Sequence, residues 1–159
     1  AVVVQSIELT NEWAKAGIMA RQTLEPGSIN VLAAARANND LVTFQRRETT
    51  DGGSASERFT PAGAEFPTGI RLIKEGDVFT GDWGKGTEWS GDPVTKDGVT
   101  STPPLELALS DPYYLGIAVT SPAAGVLTTG VVEIINDTPK AVDATGKPAT
   151  TWALIRALR

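Results

Sequence analysis

Apolar and polar residues alternate along this chain in short runs, and each run is stopped by a turn residue within a few positions. From Lys15 to Thr23, Ile18, Ala20 and Gln22 fall on one side of an extended backbone, with Met19, Arg21 and Thr23 on the other. From Leu41 to Arg47, Leu41, Thr43, Gln45 and Arg47 alternate with Val42, Phe44 and Arg46. A period of two sorts side chains onto opposite faces of a strand. Each run can therefore give one face to a core and offer Arg or Gln on the other, as in an antiparallel sheet with one wet face.

The rest of the chain repeats this pattern. Val2, Val3, Val4, Ile7 and Leu9 read as an opening strand, and no signal peptide is expected among these residues. Glu25-Pro26-Gly27-Ser28 reads as a tight turn. Ile29 to Arg36 contains Ala33-Ala34-Ala35, but so few residues between two turn signals favour a strand over a helix. Ala37-Asn38-Asn39-Asp40 closes a hairpin. Glu48 to Ser56 is polar and Gly-rich and reads as an exposed loop; Arg58-Phe59-Thr60 reads as a short edge strand. Gly69 to Lys74 and Val78 to Trp83 form a hairpin about Glu75-Gly76-Asp77. Gly84-Lys85-Gly86 then turns into Thr87-Glu88-Trp89, and Asp92 to Pro104 is a loop. Leu105 to Leu109, Tyr113 to Thr120 and Gly130 to Ile135 complete the strands. Roughly ten short strands at 8–12-residue spacing predict an all-β antiparallel two-sheet sandwich or a barrel, with no long helix before Asn136.

Composition narrows the chemistry. The 159 residues fit one domain with a real core. There is no Cys and no His, so a Ser-His-Asp triad, a Cys-His pair, a thiolate or His-ligated zinc site and a disulfide are all excluded within these residues. The formal net charge of -5 disfavours non-specific binding to nucleic acid or to an anionic membrane. No apolar run approaches the roughly 20 residues of a membrane span.

Four stretches carry a family resemblance. Trp13-Ala14-Lys15-Ala16-Gly17-Ile18-Met19-Ala20-Arg21 resembles a W-A-K-A-G-[IV]-M-x-R signature, and Phe44-Gln45-Arg46-Arg47 an F-Q-x-R strand. Arg71-Leu72, Phe79-Thr80-Gly81 and Trp89 are similar to an R-L…F-x-G…W series, and Tyr114 to Ser121 to a closing Y-[IV]-G-L-A-V-T-S strand. The family is a concanavalin A-like, laminin-G-like jelly-roll sandwich of large secreted bacterial proteins, many of whose members carry a label about enolase regulation. The resemblance covers roughly Val3 to Ile135. It implies an extracellular or cell-surface setting and a binding or structural role, with no established catalytic residues. Against that family the chain is expected to lack the usual first one or two strands. It is expected to divide into a sandwich over 1–135, a linker over 136–150 and a C-terminal strand or short helix over 151–159.

Trp83, Trp89, Tyr113 and Tyr114 are candidate aromatic platforms for sugar rings. Trp83, at a Gly-rich hairpin tip, is expected to be the most exposed of them; Trp89 and Trp13 are expected in the core. Arg21, Gln45, Arg47 and Arg71 can hydrogen-bond sugar hydroxyls or carboxylates, or else form a solvated face with cross-strand ion pairs. Asp51, Asp92, Asp97 and Asp111 give only a weak calcium signal, because no D-x-D-x-D-G loop is present. No spacing pairs Glu8, Glu12 or Glu88 as a glycosidase requires, so no cofactor and no enzyme is expected. In the tail, Trp152, Leu154 and Leu158 share one face if extended, and Trp152, Ile155 and Leu158 share one if helical. Docking of that tail on its own domain or on a neighbour's open edge implies an assembly role, with other copies or neighbouring domains as partners. A carbohydrate-binding or adhesive module is the competing expectation.

Overall fold

The computed structural model describes residues 1–38, 42–59, 65–85 and 102–135. Leu41, Asp92, Asp97, Glu88, Trp89 and the whole tail with Trp152, Leu154, Ile155 and Leu158 lie outside the described residues. The described residues contain ten strands and no helix. They are β1 (Val2–Ile7), β2 (Lys15–Arg21), β3 (Asn30–Arg36), β4 (Val42–Arg47), β5 (Ala55–Phe59), β6 (Thr68–Glu75), β7 (Val78–Lys85), β8 (Leu105–Glu106), β9 (Tyr114–Thr120) and β10 (Gly130–Ile134).

These form two antiparallel sheets of five strands each, in the orders β10-β1-β6-β7-β8 and β5-β4-β3-β2-β9. The protein is an all-β, two-sheet antiparallel sandwich. Turn chemistry sets the strand ends where it was expected: Ser28 N donates to Glu25 O at 3.0 Å, and Gly76 bends β6 into β7 with φ +60°. The Ala-rich run is β3, a strand paired on both sides.

Period-two alternation puts Ala16, Ile18 and Ala20 of β2, Val31, Ala33 and Ala35 of β3, and Val42 and Phe44 of β4 into the core. From the first sheet come Val2, Val4, Ile70, Phe79 and Trp83. The second sheet's inward layer is rich in Ala, which leaves room for the large rings of Phe44, Phe79 and Trp83. Large-against-small packing of this kind lets two sheets interdigitate at interior density. Where the two sheets meet, a Cβ on Gly81 would sit 2.9 Å from the Phe44 ring. Gly81 is therefore what admits Phe44. The Trp83 ring stacks at a tilt on Phe59, 4.5 Å between centroids.

Four expectations are corrected. Trp83 is 1% exposed, not the open platform expected at a hairpin tip. β7 runs on to Lys85, so Trp83 keeps the inward parity of Phe79 and Gly81. Trp13 is not a core anchor; it lies half-buried against Arg36 and Arg58. The second sheet is not simply wet on its outer side, because Leu32 and Ala34, outward on the central strand β3, are buried too. The expected strand over Leu105 to Leu109 also shortens: Leu105–Glu106 is the strand, Leu107 N still donates to Asp77 O at 2.8 Å, and Leu107 and Leu109 enter the core.

Candidate functional site

The candidate ligand residues do not form one site. Arg71 faces outward on the first sheet, where its Nε donates to Asp82 Oδ2 at 3.0 Å and a second guanidinium nitrogen bonds the same oxygen. It is the expected cross-strand pair. Trp83 is in the core and unavailable to a ligand. Tyr113 is half-buried, packed against the core below Lys74 Nζ at 5.5 Å, and burial, then the Asp111 charge, push its phenol up from the ordinary value. Trp89 lies outside the described residues. Arg21, Gln45, Arg47 and Tyr114 do share a face, the outward side of the second sheet.

Register builds that face row by row. Directly paired residues point the same way, so the outward positions read Arg58–Thr43–Ala34–Gly17–Ala118 across the five strands. The neighbouring row reads Ser56–Gln45–Leu32–Met19–Gly116. Arg47–Asn30–Arg21–Tyr114 closes one end and Arg36–Lys15–Thr120 the other. Five cations, Lys15, Arg21, Arg36, Arg47 and Arg58, stand on these positions with no carboxylate among them. The acids of the same sheet point elsewhere: Glu57 pairs with Arg46 at 3.0 Å on the opposite side.

At one end, Arg21 Nε donates to Thr23 O at 2.6 Å and its Nη2 to Glu25 O, while Arg47 Nη1 donates to Pro26 O at 2.6 Å. The two arginines thus hold the 23–28 turn through neutral carbonyls, which leave their charge uncancelled. At the other end the Trp13 ring carries the guanidiniums of Arg36 and Arg58, at 4.4 and 4.7 Å. Trp13 N donates to Asn11 Oδ1 at 2.8 Å, and Lys15 Nζ to Trp13 O at 3.1 Å. Sequence reading missed Lys15, Arg36 and Arg58 as a set. They are distant in sequence, and only the pairing register brings them together.

Crowding of like charge marks this end. Burial first, then Arg58 and Arg36, lower the Lys15 ammonium from its ordinary value of 10.5. Between that lowered value and 10.5 the unfolded chain binds the proton more tightly, so the Lys15 contribution to stability rises with pH through this window. Lys15→Met is accordingly expected to be the more stable protein near neutral pH, with its advantage shrinking as the pH climbs toward the ordinary lysine value. Urea unfolding of both proteins across that range checks this, and a pH-independent difference would contradict it.

A second feature is an open side. Among the described residues β9 pairs only with β2 and β10 only with β1. Leu115, Ile117 and Val119 of β9 lie opposite the buried Ala20, Ile18 and Ala16, so they point to the core side. They are nevertheless 41%, 40% and 41% exposed. Ile134, opposite the buried Val2, is exposed in the same way on β10. The connection between these two edge strands exposes Val126 and Leu127. Seven of the ten large exposed apolar side chains thus fall between Leu115 and Ile134. No charged residue occurs from Pro112 to Val132. Edge strands are ordinarily guarded by charge, Pro or a bulge at the rim; β9 has none of these between Tyr114 and Thr120, where its whole length is paired in regular register with β2.

The carboxylates offer less. Glu8 Oε2 accepts from Thr129 N at 3.3 Å, and Asp51, in a turn with φ +58°, donates its backbone N–H to Gly27 O. No three Asp or Glu side chains converge on one point among the described residues. No helix among them is long and apolar enough to cross a membrane. The described residues form a two-sheet antiparallel β-sandwich with cations at both ends of the second sheet's outward layer, whose centre is buried, and with an apolar open side. No family model, no curated protein and no solved structure matches the chain.

Proposed function

We propose that this chain is a non-catalytic structural module of the extracellular space or cell surface, a concanavalin A-like jelly roll that joins other copies by strand exchange, as in a surface layer or filament. One observation carries the reading: the inward row Leu115, Ile117, Val119 stands exposed on an edge strand free of charge. Adding a strand there pairs the outer backbone groups of β9 and covers that row at once. The occupant we assign is the 151–159 segment of a second copy, Thr-Trp-Ala-Leu-Ile-Arg-Ala-Leu-Arg, which lies outside the described residues. Its Trp152 and Leu154 alternate with Ala153 and Ile155, so an extended form has an apolar row to lay against Leu115, Ile117 and Val119. The residues 136–150 before it can stretch to about 50 Å, enough to reach a neighbouring molecule. A tail given by each copy to the next is a heterologous contact, which builds a ring or a filament.

Ile117→Lys puts a charge in the middle of the exposed row. Sedimentation of the full chain is expected to show concentration-dependent assembly that this substitution abolishes, as does deletion of 151–159. A wild-type chain that stays monomeric at every concentration would overturn the proposal. A second reading, a carbohydrate-binding or adhesive module of a larger secreted protein, is favoured by the common face of Arg21, Gln45, Arg47 and Tyr114.

A further inference from the structure

We infer that Arg46 and Glu57, an ion pair set on the core side of the β5 edge, bar that edge to an incoming strand, so that each copy has a single acceptor, β9. This rests on the assembly reading above and adds to it the residues that limit where a strand can dock. The first support is where the pair points. Val42 and Phe44 of β4 face the core, so Arg46 follows them inward by parity. Glu57 stands opposite Phe44, and Phe59 opposite Val42, so Glu57 lies on the same side. Arg46 Nη1 donates to Glu57 Oε1 at 3.0 Å and its Nε to Glu48 Oε1 at 2.8 Å. The Arg46 side chain is 22% exposed and that of Glu57 38%, so both stand at the rim of the core rather than in open water. Charges turned inward at an edge strand are one of the devices that keep sheets from pairing edge to edge.

The second support is the contrast between the two edges of this sheet. Each edge strand presents an inward row to any strand laid beside it. On β9 that row is Leu115, Ile117 and Val119, and covering it removes apolar surface from water. On β5 the row is Ala55, Glu57 and Phe59, and covering it strips water from Glu57 and from the guanidinium it holds. The apolar row of the tail, Trp152 and Leu154, offers those charges no replacement for that water. The same tail is therefore accepted by β9 and refused by β5.

The third support is that the edges of the first sheet are limited as well. β8 is a strand of only 2 residues, Leu105–Glu106. β10 carries Glu133, whose Oε2 accepts from Gln5 Nε2 at 3.0 Å, and its ladder with β1 shifts register between Val4 and Ser6. Shortness, charge and a bulge each discourage edge pairing. Among the described residues β9 is the one edge strand that joins a regular ladder over its whole length to an absence of charge. One tail and one acceptor per copy give an unbranched ring or filament.

Sedimentation of the full chain tests this with Ile117→Lys on β9 and with Arg46→Met plus Glu57→Leu at β5. Apolar residues of similar size often replace a buried ion pair without loss of stability, so the second change is expected to leave the fold intact. Ile117→Lys alone is expected to stay monomeric. Adding Arg46→Met and Glu57→Leu to it is expected to restore concentration-dependent assembly, now through β5. In the wild-type background the same two changes are expected to turn unbranched assemblies into branched ones under the electron microscope. The swap Arg46→Glu with Glu57→Arg keeps the charges and is expected to keep the edge closed. A triple variant that melts cooperatively and stays monomeric would overturn the barrier and leave β9 as the acceptor. Where the triple variant does not fold, the double variant decides, and unbranched assemblies from it would overturn the barrier equally. A swapped pair that opens the edge as the apolar pair does would overturn the role of charge. A wild-type chain that is monomeric at every concentration would remove the assembly reading and this inference with it.

Discussion

Trp83→Ala is expected to cost about 3–5 kcal/mol, the range for deleting a large aromatic ring from a packed interior. Trp83 is among the largest fully buried side chains, stacked on Phe59 and adjacent to Phe44 across the sandwich. Its neighbours belong to paired strands of both sheets, so they cannot collapse into the space without breaking a ladder. Against a total stability of about 5–15 kcal/mol, that loss takes a large share. Trp83→Phe separates ring volume from the indole N–H. Trp83 Nε1 is buried and has no hydrogen-bond partner among the described residues, so replacing the indole loses volume but no bond. Phe is expected to restore well over half of what Ala loses. Urea unfolding measures both; equal losses for Ala and Phe, or a loss under about 1 kcal/mol for Ala, would show that the ring does not fill the core.

Gly17→Ala is expected to be nearly as damaging for the opposite reason. A Cβ at Gly17 would lie 2.1 Å from Ala33 O and 2.5 Å from Ala34 Cα. Both are backbone atoms of the central strand β3, which pairs on both sides and has no free direction in which to move. Overpacking costs typically about 1–3 kcal/mol, and here it is expected at the upper end or beyond, because backbone rather than a side chain must give way. Gly116→Ala is the matched control, outward on the same sheet, with nothing within 4 Å of its new Cβ. It is expected to change stability by less than about 0.5 kcal/mol. Thermal unfolding that ranks the two substitutions equally would contradict the close β2–β3 approach.

These two positions also show what could be read from the residues. The alternation that placed Ile18 and Ala20 on one side of β2 and Met19 and Arg21 on the other holds in the structure, and so do the turns at Glu25–Ser28 and Glu75–Asp77. Those signals are local, set by period two and by Pro and Gly. Trp83 was misjudged because three nearby glycines looked like a turn. The same parity, Phe79, Gly81, Trp83, was the better guide, and it points inward.

The sites depend on register, which no local signal encodes. Arg71 faces Asp82 and Lys15 faces Arg36 only because of how many residues each turn contains. Arg21, Gln45 and Arg47 were legible as outward residues, but Lys15, Arg36 and Arg58 gather around Trp13 only after β2, β3, β4 and β5 are aligned. The open side was legible in part. The run from Pro112 to Val132 is visibly free of charge, yet it reads as ordinary core strand until β9 and β10 are seen to be edges.

The central claim, that the β9 edge receives a strand, is tested most directly by residue-resolved hydrogen exchange of Tyr114–Thr120 as a function of protein concentration. In a bare edge strand alternate amides point to water, while the others are held by β2. At assembling concentration the water-facing set is expected to become protected as well, slowing toward the set held by β2, and to be released on dilution or on deletion of 151–159. Alternate amides that exchange freely at every concentration would contradict the claim.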